Sequence, residues 1–246
     1  MRIDRFLAEN GYCESRTRAQ RLIEENRVLI DGRVCRKPSE EMDENRTVTV
    51  LPSQHAEYVS RGGYKLQAAL DAFSIDVNGL CAADLGASSG GFCDCLLQRG
   101  AAKIYAVDCG SGQLAAKLRT DSRIVSMENT NARTLTAEML GEKVDLCVMD
   151  LSFISQTLIY PAVCRIIKSG GTVVTLIKPQ FEVGRAFIGK NGVVKNEKAR
   201  NAAVERVLQN AAEFGLISRG VIPSPITGGD GNTEYLSVLR YEPKTQ

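Results

Sequence analysis

The chain has 246 residues, 43% of them hydrophobic and 24% charged, with a formal net charge of +2. That length suits one sizeable core or a core with a small appendage, and the near-neutral balance means that any nucleic-acid footprint has to be local. No apolar run approaches the roughly 18 residues of a membrane helix, and the charged opening MRIDR lacks a signal pattern, so a cytoplasmic protein is expected.

Residues 1–56 are expected to form a small α+β unit. Ile3, Phe6 and Leu7 fall at helical spacing before Gly11, and Ser15 can cap a second helix whose apolar face includes Leu22 and Ile23. VLIDGRV and TVTVL are strand-like, the first broken by an Asp-Gly turn. Arg2, Arg5, Arg16, Arg18, Arg21, Arg27, Arg33, Arg36 and Lys37 precede Pro38, and the acids Glu40, Glu41, Asp43 and Glu44 follow it. Guanidinium forks suit phosphate, and Arg18 and Arg21 are three apart, close enough to share a helix face. The eight cysteines are scattered without a CxxC pair, so reduced, half-buried thiols are expected and no metal site. The one histidine, His55, lies in a polar stretch and is expected on the surface.

The run SRTRAQRLIEENRVLIDGRVCRKPS resembles the RNA-binding domain first described in a small-subunit ribosomal protein. The resemblance rests on Ser15, Arg16, Ala19, Leu22, Ile23, Val28, Asp31, Gly32, Pro38 and Ser39. It implies an RNA-binding surface, for which Arg5, Arg16, Arg18, Arg21 and Lys37 are the candidates. Asn26 stands where most versions of the domain have glycine, and asparagine tolerates the same left-handed turn. A linker is expected at 57–62, around a flexible Arg-Gly-Gly, and the remaining domain at 63–246.

Beyond the linker, strands and helices alternate. LCAADL leads into the turn GASSGG and the helical FCDCLLQRG, and KIYAVDCG, RIVSM and VDLCVMD follow. A helix over 155–167 then precedes the strand GTVVTLIK. This alternation argues for an α/β fold, a mostly parallel sheet covered on both faces, with ligands at the carboxyl ends of its strands. A helix over 197–214 and an antiparallel hairpin, LISRGVIPS with EYLSVLRY, complete the chain. A dinucleotide fingerprint would place a glycine where Ser88 stands, and Asp84 would repel a pyrophosphate, which weighs against a NAD-dependent oxidoreductase.

The pattern D-x-G-x-x-x-G, from Asp84 through Gly86 to Gly90, resembles the first motif of S-adenosylmethionine-dependent methyltransferases. It implies that Asp84, Gly86, Ala87, Ser88, Gly90, Gly91 and Phe92 line the site of the methionine part, and that Asp108 takes the ribose hydroxyls. Asn129 and Asn131 follow the third strand, where adenine contacts usually lie.

Four further polar residues call for an explanation: Lys65 in GGYKLQ, Asp150 in VMDLSF, Lys178 in TLIKPQFE and Glu234 in GNTEYL. Asp150 and Lys178 end adjacent strands. A ribose hydroxyl attacks poorly while protonated, and a lysine amine, ordinarily of pKa about 10.4, can take that proton once desolvation and a second cation such as Lys65 lower its basicity. Asp150 would orient that amine, and Glu234 would orient Lys65 or the ribose.

These four resemble the Lys-Asp-Lys-Glu tetrad of FtsJ-type RNA 2′-O-methyltransferases. Together with YVSRGGYKL, DLGASSGGF, LIKPQFEVGR and GGDGNTEYL, the whole chain resembles the TlyA family of ribosomal RNA cytidine 2′-O-methyltransferases, often labelled haemolysins. The resemblance implies a Rossmann-like class I methyltransferase sheet with its last strand antiparallel, and catalysis by Lys65, Asp150, Lys178 and Glu234. It also implies S-adenosylmethionine as cofactor and ribosomal RNA or a ribosomal subunit as partner. The near absence of a basic extension before Ile3 favours the family's shorter form, which acts on large-subunit 23S RNA, with 16S RNA the other possibility. The loop PQFEVGRAFIGKNGVVKN carries Arg185, Lys190 and Lys195 and is expected to close over RNA. A non-catalytic RNA-binding or membrane-damaging protein is the remaining alternative.

Overall fold

The structure is a computed structural model and describes residues 1–13, 15–43, 45–51 and 58–244. The expectations for His55, Glu44, the start of the 57–62 linker and the Lys190 side chain lie outside the described residues. Two compact units emerge, residues 1–57 and 58–246.

In the smaller unit, α1 (Ile3–Glu9) and α2 (Arg16–Glu24) pack over three short strands, β1 (Val28–Ile30), β2 (Arg33–Val34) and β3 (Val48–Val50). The strands lie in the order β2-β1-β3, all antiparallel. Ile3, Leu7, Leu22, Ile23, Val28 and Ile30 form the centre of its core. Local chemistry fixes the ends: Arg18 N–H donates to the Ser15 hydroxyl at 3.2 Å, which caps α2. Asp31 and Gly32 have φ of 49° and 75°, the left-handed pair of a tight hairpin turn. Asn26, at φ 56°, adopts the turn that glycine would otherwise supply.

The basic residues of this unit do not all face outward. Asp4 is buried, and its carboxylate accepts from Arg2 at 3.0 Å, from Arg16 at 2.9 Å and from Gln20 at 2.9 Å. Arg16, expected on RNA, therefore has a structural partner that holds α2 against the start of α1. Arg5 pairs with Glu9 one turn on at 2.6 Å, Arg18 and Arg21 are half-buried, and Lys37 is exposed.

The larger unit is a seven-stranded sheet. In chain order its elements are α3 (Gly62–Ala72), β4 (Cys81–Leu85), α4 (Gly91–Gln98), β5 (Lys103–Val107), α5 (Ala116–Arg119), β6 (Ile124–Met127), α6 (Ala137–Leu140) and β7 (Val144–Met149). Then come α7 (Tyr160–Ile166), β8 (Ile167–Ile177), α8 (Pro179–Glu182), α9 (Glu197–Glu213), β9 (Leu216–Pro223) and β10 (Tyr235–Tyr241). The strand order is β6-β5-β4-β7-β8-β10-β9, parallel from β6 to β8, with β10 antiparallel to both its neighbours. The expected sheet, with its antiparallel last strand, is the observed one. Alternation splits each strand between two cores: in β7, Leu146 and Val148 face the layer of α3 and α4, whereas Cys147 and Met149 face that of α7 and α9. The chain winds one way from β4 and the other way from β7, so the switch point lies between the ends of those two strands.

Three expectations are corrected. From Tyr58 onward the supposed linker belongs to the larger unit: Tyr58 is buried, and Val59 N–H donates to Asp94 at 2.8 Å. Arg-Gly-Gly is a close contact rather than a hinge, because a Cβ on Gly63 would lie 2.2 Å from the Tyr58 ring and one on Gly91 3.0 Å from Gly63 N. Cys35, Cys81, Cys93, Cys95 and Cys147 are buried, whereas Cys13 and Cys164 are half-buried as expected and Cys109 is exposed. The helix expected over 155–167 is a 3-10 turn, Gln156–Leu158, followed by α7, with Pro161 in its first turn; Ile167 already belongs to β8.

Asp4 yields a test. Hydrogen bonding from Arg2 is the largest influence holding its carboxyl below the usual range, with Gln20 and Arg16 acting in the same direction. A depressed carboxyl stabilises the fold above its unfolded pKa, and that stability fades as pH falls below about 4. Asp4→Asn at neutral pH is expected to lower stability by on the order of 1–3 kcal/mol. The loss should appear as faster hydrogen exchange in α1 and α2, and it should shrink toward zero in acid.

Candidate active site

The turn after β4 is built for close approach. Gly86 and Ala87 N–H groups both donate to Val107 O, at 2.9 and 3.1 Å, which ties the turn to the end of β5. Gly86, Ser88 and Gly90 have φ of 85°, 48° and 91°. A Cβ on Gly86 would lie 2.7 Å from the backbone oxygen of Asp150, so the turn and the end of β7 touch.

Asp84 and Asp108 flank this turn differently. Asp84 is buried; its Oδ2 accepts from the Cys93 amide and thiol, both at 3.0 Å, while Oδ1 has no partner. Burial is the main cause that pushes this carboxyl up to about 7, with the charges of Asp150 and Asp108 adding to it. Burial of a carboxylate with one unpaired oxygen disfavours its charge, and an adjacent cation would restore it. Asp108 accepts from Ser88 N at 2.8 Å and Gly110 N at 2.7 Å, so it joins the glycine turn to the loop after β5. Asn129, at φ 53°, sits beside Gly110 through a 3.0 Å backbone bond.

Two candidates have structural contacts of their own. Phe92 is buried in the core, where Gly62 packs against its ring. Asn131 uses its side-chain oxygen to cap a 3-10 turn, accepting from Arg133 N at 3.0 Å.

The four other polar residues form two lysine–carboxylate pairs. Lys178 Nζ lies 2.7 Å from Asp150 Oδ1 and donates to the Ser152 hydroxyl at 2.9 Å. Its side chain is only 12% exposed, so the amine lies against the rim instead of in open water. Lys65 Nζ donates to Glu234 at 2.5 Å, with both residues buried. Register explains the gathering. Tyr235 pairs with Ile177, so one step further along the antiparallel ladder Glu234 and Lys178 follow. Leu85 pairs with Met149, so Gly86 and Asp150 follow side by side.

Sequence reasoning missed Phe153, Gln113 and Asn232. Phe153 is 91% exposed at φ 65°, a costly conformation for a bulky residue, and its ring lies 5.3 Å from that of Phe181. Gln113 accepts from the Ser88 hydroxyl at 3.1 Å. Asn232 is a buried amide in the turn before Glu234. No periodicity or spacing marks these positions. The loop after Lys178 begins as α8 and is anchored by Glu182, which accepts from Ser155 and from Gln156 N; Arg185 is exposed on it.

An FtsJ-like methyltransferase model matches residues 58–241, and an S4 domain model matches residues 1–48. The chain belongs to the FtsJ-like methyltransferase family. The 16S/23S rRNA (cytidine-2′-O)-methyltransferase TlyA of Mycobacterium tuberculosis is 45% identical, over 97% of this chain and 89% of that protein. Hemolysin A of Brachyspira hyodysenteriae is 38% identical, over 96% and 98%. A solved structure described as a hemolysin from Streptococcus thermophilus superposes with a TM-score of 0.76 at 39% identity, covering 98% of this chain and 88% of the other. Membership in a methyltransferase family sets aside the oxidoreductase alternative. Among the described residues, no helix is long and apolar enough to cross a membrane.

The buried pair is separable from the exposed one by stability. Glu234→Gln strands a buried ammonium and is expected to cost about 3–5 kcal/mol in urea unfolding. Lys65→Met combined with Glu234→Leu removes both charges and should recover most of that loss.

Proposed function

We propose that this protein transfers a methyl group from S-adenosylmethionine to the 2′-hydroxyl of a cytidine in ribosomal RNA. The observation that carries the reading is the Lys178 amine, held between Asp150 and Ser152 beside the glycine turn. The names of the relatives above support the substrate class, and the M. tuberculosis relative's name covers both ribosomal RNAs.

The residues fit the donor. Asp84, with its free Oδ1, would take the ammonium group, Gly86 to Ser88 would lie along the methionine part, and Asp108 would face the ribose. When bound, the donor supplies an electrophilic methyl on a sulfonium. Lys178, as the neutral amine, would take the proton from the ribose hydroxyl as that oxygen attacks. Asp150 and Ser152 fix the aim of that amine, and the Lys65–Glu234 pair holds the neighbouring wall. Phe153 offers an open ring on which a base can stack. Arg5, Arg18, Arg21 and Lys37 on the smaller unit and Arg185 on the larger one would contact phosphate, with Arg16 contributing the part of its fork that Asp4 leaves free.

Incubation of ribosomal subunits from a strain lacking this protein with radiolabelled donor is expected to place label in 2′-O-methylcytidine. Label on a base would refute the reading. Lys178→Ala should lower the transfer rate by at least about 10²-fold, while donor affinity, measured by calorimetry, stays within a few-fold. Phe153→Ala should weaken productive RNA binding by about 1–3 kcal/mol, and Phe153→Trp should retain it; the KM for RNA reports both.

A further inference from the structure

The glycine-rich turn between β9 and β10, which ends at Glu234, contains a second buried polar side chain, an amide. Asn232 is 1% exposed. Its Oδ1 accepts from Val194 N at 3.0 Å, and its Nδ2 donates to Gly192 O at 3.1 Å. One side chain thus satisfies a backbone donor and a backbone acceptor of the loop that follows Lys178. Its own carbonyl accepts from Gly228 N at 2.9 Å, which closes the turn around it.

The same turn reaches the buried Lys65–Glu234 pair from two further directions. Arg61, just before the helix that carries Lys65, donates to Thr227 O at 2.7 Å. Gly228 lies against the other side of Glu234, where a Cβ would sit 2.6 Å from Oε1. On the loop side, Arg200 Nη1 donates to Val194 O at 3.0 Å and to Lys195 O at 2.9 Å, so the outgoing end of the loop is anchored to α9. The exposed stretch between α8 and Gly192, with Arg185 and Phe187, is therefore joined through Asn232 to the turn that leads into Glu234.

We propose that Asn232 is a positioning residue: its amide ties the RNA-facing loop to the Lys65–Glu234 pair, so that RNA held by the loop sets that pair for transfer. This inference rests on the methyl-transfer reading. An amide is required because the loop presents one N–H and one C=O to a dry position. A carboxylate satisfies only the first, and a methyl group neither.

Asn232→Ala and Asn232→Asp, in the full chain, separate this role from bulk stability. Both are expected to lower kcat on ribosomal subunits by about tenfold or more, with donor affinity by calorimetry unchanged. Trypsin cleavage after Arg185 in the donor-free protein, mapped by mass spectrometry, should accelerate by about tenfold for the same lost bonds. If Asn232→Ala does not fold, Asn232→Asp, which is isosteric, carries both measurements. A folded variant with wild-type kcat, or with wild-type cleavage at Arg185, overturns the proposal. If the wild-type protein itself transfers no methyl group, the reading of the reaction fails, and the protease rates still decide whether Asn232 holds the loop.

Discussion

A lysine amine 2.7 Å from an aspartate, both just past the ends of neighbouring parallel strands, is the contact on which the site depends. Parallel strands put their carboxyl ends on one rim, so Asp150 and Lys178 meet without any long excursion of the chain. The backbone oxygen of Asp150 also presses on Gly86, where no side chain fits. The amine, the acid beside it and the glycine turn are therefore one mechanical unit. A slip of one residue in the β4–β7 register would turn every side chain of the moved strand to the opposite core and break that unit.

The second lysine–carboxylate pair has a different character. Lys65 and Glu234 are buried, and each satisfies the other's charge. Lys178 and Asp150 are partly open, which leaves them accessible to a substrate. The helix that carries Lys65 starts in tight packing: a Cβ on Gly63 would lie 2.2 Å from the Tyr58 ring, and one on Gly91, at the start of α4, 3.0 Å from Gly63 N.

In the smaller unit, charge is divided between structure and surface. Arg2 and Arg16 neutralise the buried Asp4, and Arg5 has a partner in Glu9. The count of arginines thus overstates the surface left for phosphate, and Lys37 is the member of the proposed set that is exposed without an internal partner among the interactions described.

The alternation of strands and helices, the left-handed turn at 86–90 and the strand-end positions of Asp150 and Lys178 were legible in the sequence, because each is set by neighbours along the chain. Periodicity chooses the element, glycine permits the turn, and an acid or lysine after an apolar run marks the rim. Only the tertiary structure decided that Phe92 is core while Phe153 is open, that Arg16 serves Asp4, and that Asn232 bridges two loops. Those outcomes depend on which distant segments meet. Lys65 and Glu234 lie 169 positions apart, and Asn232 and Val194 lie 38 apart. A linear pattern carries no distance across the fold, so packing alone sets these contacts.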